Sequence, residues 1–131
     1  MKIFNVFHHP AAGIALLRIT LAILILLHGI AKITGGVGFI SGMLVPMGLP
    51  SWLAYGAYVG EVIAPILLLV NRLVVPAALV IAINMLFAFG LVHMGDLFSR
   101  SGSGGWALEL QGMFLVAAIV VALTAPRTDG R

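Results

Sequence analysis

Four apolar runs, each about long enough to cross a bilayer, account for most of this chain: about Ala11–Ile33, Trp52–Val70, Leu73–His93 and Trp106–Ala125. Hydrocarbon offers the backbone no water. A crossing segment must therefore satisfy its own N–H and C=O groups, which a helix of ~20 residues does. Each run is also about twice the length of a barrel strand. The sequence predicts an all-α fold, a single integral membrane four-helix bundle over residues 1–131. Composition points the same way. Hydrophobic residues make up 62% and charged residues 8%, where a soluble domain carries about 25% charge. So few charges do not suggest a nucleic-acid partner. Without cysteine, disulfides, thiol relays and thiolate metal sites are excluded.

The punctuation between the runs is clear. Gly35, Gly36 and Gly38 end the first helix, Pro50 precedes the second, Asn71-Arg72 makes a very short turn into the third, and Pro126 stops the fourth. Residues 95–105 (GDLFSRSGSGG) read as a polar loop. The connection from Thr34 to Ser51 is long yet apolar, which predicts a short helix at the membrane surface or against the bundle. Its glycines lack a following Gly-Lys-Ser/Thr, so a phosphate loop is not supported. The first run carries Arg18 and does not suit a signal peptide, so a retained N-terminus is expected. Four spans put both termini on one side with Lys2, Arg72, Arg127 and Arg131, against Lys32 and Arg100 on the other. The positive-inside rule then predicts cytoplasmic termini, with Trp52 and Trp106 at the opposite interface.

Against this background Glu61 stands out as the sole charge in the second run. A carboxylate at mid-membrane costs on the order of 2.5–3.5 kcal/mol and calls for a partner or a purpose. Counting helical rise from the run ends places Arg18 roughly 10 Å and Glu61 roughly 14 Å in from the same side. An intramembrane pair of Arg18 with Glu61 is therefore expected. Pro65 cannot donate to the Glu61 carbonyl, so a local bend is expected too. Two readings of the pair stand: a structural ion pair that sets helix packing, or a proton or ligand site.

A second polar group lies toward the outer side. His28 and Lys32 are one turn apart on the first helix. Glu109 and Gln111 enter from the fourth, roughly 4–9 Å deep, and His93 ends the third. Together they suggest an outer pocket opening outward, although each could instead contact headgroups or water, with Lys32 snorkelling. Asn84, mid-span in the third helix, suits either an interhelical hydrogen bond or a ligand contact. His28 and His93 lack recognisable ligand spacing, so neither a metal site nor haem is expected. The methionines read as packing, and His8 and His9 as headgroup contacts.

Several stretches together resemble the DoxX family of small four-helix bacterial membrane proteins. LLRITLAILILLHGIAKITGG is similar to the family's Arg-containing first span with its Gly-x-x-Lys ending, here Gly29 and Lys32. MGLPSWLAYGAYVGEVIAPILLLVNR resembles its Gly-x-Pro segment and Glu-containing second span, here Gly48, Pro50 and Glu61. NMLFAFGLVH and GGWALELQ are similar to the later spans of one branch. Val70-Asn71 departs from the Gly-rich turn often seen in relatives, which affects the loop and not the charged positions. The resemblance implies a bacterial inner-membrane location and an association with redox assemblies, thiol and oxidative stress and quinone-like compounds.

Three functions follow as alternatives. The first is a membrane subunit of a redox or quinone-linked stress-response assembly. There His28, Lys32, His93 and Glu109 would serve a quinone, and electrons would come from a bound cofactor or a redox partner protein. The second is a non-enzymatic anchor or assembly protein that associates, with itself or a partner, through faces bearing Gly56 and Gly60. The third is a small proton-coupled transporter built on Glu61, for which four helices are few without dimerisation.

Overall fold

The computed structural model describes residues 2–91 and 109–126, and among them every regular element is helical. After an N-terminal 3₁₀ turn, Lys2–Phe7, helix α1 runs from Pro10 to Gly35. Proline at the first helical position fits, because its missing N–H would have no helical partner there. Helix α2, Gly38–Leu44, is the short helix of the apolar connection. Helix α3, Ser51–Leu69, is composite: a 3₁₀ start (Ser51–Tyr55), one α-turn, a π-turn (Val59–Ile63) and a final α-segment (Ala64–Leu69). Helix α4 spans Val74–Leu91 and α5 spans Glu109–Thr124.

Pro65 accounts for the π-turn. Its ring would collide with the carbonyl four residues back, that of Glu61, and it brings no N–H to close the ladder. The wider turn relieves the collision, with the Ala64 N–H bonding five residues back to Val59. At the other end of α3, Asn71 takes a left-handed conformation (φ 60°). Its N–H bonds to Leu68 O (3.2 Å) and that of Arg72 to Leu67 O (2.9 Å). This is a Schellman cap with asparagine, the side chain that best tolerates such a φ, in place of glycine. The departure from a Gly-rich turn thus leaves the turn chemistry intact.

Helix α1 packs against α3 and α5, and α4 packs against α3 and α5, so the four long helices close a ring. Their shared core is rich in alanine, with Ala22, Ala64, Ala78, Ala82 and Ala118 among the buried side chains around Ile25, Leu68, Ile81 and Val121. Small side chains let backbones approach closely, which is how helices associate where lipid offers no hydrophobic incentive. A smaller cluster of Val37, Leu44 and Ala54 fastens α2 to the first turn of α3. Outside, large apolar side chains such as Leu27, Ile63, Leu79 and Val116 are exposed along the helices. Helices α1 and α3 are long and apolar enough to cross a membrane; α4 and α5 are apolar and shorter over their described residues.

Candidate functional site

The site forms where α1 and α3 cross at their closest. A Cβ on Gly29 would overlap the Glu61 carbonyl oxygen and lie 2.8 Å from Val62 Cγ2, so the crossing requires glycine. The carbonyl pressed against Gly29 is the one that Pro65 leaves without its usual donor. Gly60 repeats the arrangement toward α4, where an added Cβ would come within 2.7 Å of Asn84 Cβ. Two glycines therefore draw α1 and α4 in on either side of the π-turn that carries Glu61.

This register decides the charge pairing. Glu61, 5% exposed, is bonded to Lys32: Nζ donates to Oε1 at 2.9 Å. The expected pairing with Arg18 is corrected here. Arg18 Nη1 donates to the carbonyl of Leu68, seven residues and roughly 10 Å of helix beyond Glu61. Equal depth was inferred from the run ends, but α1 and α3 are not level. Gly29 lies against Glu61 and Arg18 against Leu68, so the first two turns of α1 project past the end of α3. Arg18 instead satisfies a C-terminal carbonyl, at the negative end of the helix dipole, a favourable place for a cation.

Around the pair lies a cavity of about 440 Å³, within the range of small-ligand pockets. His28, Lys32, Asn84 and Gln111 line it together with Glu61. Of the expected outer pocket, then, His28, Lys32 and Gln111 converge on one space and are joined there by Asn84 and Glu61. Glu109 does not line it; it sits exposed in the first turn of α5, where an acidic side chain suits the helix dipole. His93 lies outside the described residues. Phe39, Ile40 and Leu44 of α2, with Leu49 and Leu53, form an apolar part of the cavity wall.

The polar groups are individually placed. His28 Nδ1 bonds to Leu24 O at 3.0 Å, and its ring meets Phe114 edge-on at 5.6 Å. A carbonyl only accepts, so Nδ1 carries the proton in that bond, and Nε2 is the nitrogen able to exchange a proton with a ligand. Tyr58 donates to the backbone carbonyl of Lys32 at 3.1 Å, tying α3 to the end of α1. Sequence reasoning missed Tyr58; its place one turn before Glu61 on α3 was the available signal. Gly60, expected on an association face, is buried against Asn84 inside the molecule, whereas Gly56 is exposed with open space beside it.

The arrangement offers donors from three helices to a chamber whose other lining is largely apolar. It can hold a flat molecule bearing oxygens, and it has a carboxylate and an imidazole nearby for proton exchange. No curated protein and no solved structure matches the chain. The family model DoxX matches residues 13–94, a stretch holding Arg18, His28, Lys32, Glu61 and Asn84, with Glu109 and Gln111 beyond it. That match covers more than half of the chain, and its apolar helices turn large hydrophobic side chains outward around a charged interior. This is a membrane protein of the DoxX family.

Proposed function

We propose that this protein is the membrane subunit of a quinone-linked redox or stress-response assembly in the bacterial inner membrane, and that the cavity around Lys32 and Glu61 is its ligand site. In this reading the ring of helices is a multi-pass four-helix bundle with both termini in the cytoplasm. One observation carries it: an ion pair with a buried carboxylate, an imidazole and two amides from four helices converge on one chamber whose remaining wall is largely apolar. A quinone requires that combination, with an apolar slot for its ring, donors for its two oxygens, and groups that supply protons on reduction.

Lys32 and Asn84 would donate to one carbonyl oxygen and Gln111 to the other, with His28 Nε2 and Glu61 as the proton-handling groups. The chain has no cysteine, so electrons would reach the quinone from a partner protein or a group bound elsewhere in the assembly. The engagement of Lys32 with Glu61 also supports the orientation. It removes one cation from the outer flank and leaves Lys2 and Arg72 at the cytoplasmic end.

The test is purification in mild detergent, with mass spectrometry of the extracted lipids and titration with a quinone followed by Trp and Tyr fluorescence. Co-purified quinone, or saturable binding lost in Lys32→Met, supports the reading. A protein that carries no quinone and binds none leaves the structural alternative, a non-enzymatic anchor whose ion pair only fixes helix packing. The close packing of Gly29 against Glu61 and of Gly60 against Asn84 supports that alternative.

A further inference from the structure

Beside the polar chamber lies a second hollow of about 430 Å³, lined by Met47, Leu49, Ile83, Leu86, Phe87 and Gly90. Three of these residues, Leu49, Ile83 and Phe87, also line the polar chamber. The two spaces therefore lie on either side of one apolar partition, between the α2–α3 connection and the outer face of α4. We infer that they form a single site for an amphiphile. An oxygen-bearing head lies at Lys32, Glu61, His28 and Asn84, and an alkyl or isoprenoid chain passes between Leu49 and Phe87 into the groove of α4. The inference rests on the quinone reading above and deepens it: the ligand is a long-chained molecule drawn from the bilayer, not a water-soluble one.

Three observations support it. Glu61 is bonded to Lys32 and its neighbour Gly60 packs on Asn84, while Phe39, Ile40, Leu44, Leu49 and Leu53 line the chamber with apolar side chains, so a ligand with a polar head and an apolar remainder is matched. The groove follows α4 from Ile83 to Gly90, roughly 10 Å of helix axis, which accommodates the first stretch of a chain. Leu86, Phe87 and Ile83 are exposed on the surface that would meet lipid, so a chain in the groove continues into hydrocarbon at no cost in water contact. Gly90 keeps the far end open, because a Cβ there would meet nothing within 4 Å.

The test compares two probes in lipid nanodiscs: a dimethoxy-methyl-benzoquinone without a chain, and the same head carrying a decyl chain. Each is titrated against the wild type, Gly90→Trp and Leu86→Trp. Met113→Trp, on exposed surface away from the groove, serves as control. Partitioning of the chain into the bilayer is the same for every variant, so differences between proteins report the groove. A chain displaced from the groove enters lipid and not water, so what a bulky side chain removes is packing against the groove, read as a severalfold weaker Kd. That loss is expected for the decyl probe in either groove variant, with the chainless probe and the control unchanged. Equal weakening of both probes, or no change in either, overturns the inference and leaves the quinone reading in place. A wild type that binds neither probe overturns both. A decyl chain ending in a diazirine, crosslinked to the wild-type protein, provides a second measurement that needs no folded variant. Adducts at Met47, Leu86, Phe87 or Gly90 support the groove; adducts confined to other helices refute it.

Discussion

Lys32 and Glu61 are unequal partners. The Glu61 side chain is 6% exposed, while the Lys32 side chain retains 26% of its surface and a flexible stem. Removing the lysine strands a buried carboxylate. Removing the carboxylate leaves an ammonium that can move toward the headgroups. Lys32→Met is therefore expected to cost about 3–5 kcal/mol, the range for breaking a buried pair, and Glu61→Gln less. The double change Lys32→Met with Glu61→Gln should recover much of the loss, measured by thermal unfolding in detergent. Arg18 behaves differently. Its partner is the Leu68 carbonyl, so Arg18→Gln combined with Glu61→Gln should be additive within about 0.5 kcal/mol. A large coupling energy between residues 18 and 61 would return the pairing to the one expected from depth alone. Both members of the observed pair could be named from the sequence, but not their pairing, because a side chain's height is set by register and register by the closest backbone contact.

At the scale of elements, two glycines and one asparagine hold the arrangement. Gly29→Ala pushes a methyl into the Glu61 carbonyl, and Gly60→Ala pushes one into Asn84. Overpacking of this kind is expected to cost about 1–3 kcal/mol in each case, with loss of the proposed quinone binding as the α1–α3 or α3–α4 crossing opens. Gly56→Ala, where nothing lies within 4 Å of the added Cβ, should be neutral or stabilising by up to about 1 kcal/mol. The contrast between Gly60 and Gly56, read by chemical or thermal unfolding, separates packing inside the ring from association between copies. Asn71, left-handed at the end of α3, should accept glycine without loss, whereas Asn71→Val is expected to cost about 1–2 kcal/mol. The helix ends and the turn were legible because Pro, Gly and Asn act locally. The π-turn was only half legible: Pro65 announced a disturbance at Glu61, but whether a chain bends or widens there depends on what packs alongside.

For the whole molecule, the absence of native cysteine makes topology directly measurable. With the proposed orientation, Gly35→Cys, exposed in open space at the end of α1, should react with an impermeant maleimide in intact spheroplasts. Arg72→Cys should react only after the membrane is opened. The reverse pattern would invert the topology while leaving the cavity unchanged. The long apolar runs by themselves determined that this chain is helical and belongs in a membrane, because hydrocarbon leaves a backbone few other solutions. They also marked Glu61 as needing company, since no lipid tail can solvate it. Only the tertiary structure decided which cation supplies that company, that Glu109 stands apart while Gln111 and Asn84 line the chamber, and that the connection through α2 walls it with apolar side chains. Those outcomes depend on how far one helix slides along another before glycine lets two backbones touch, a distance set by contacts between residues far apart in sequence.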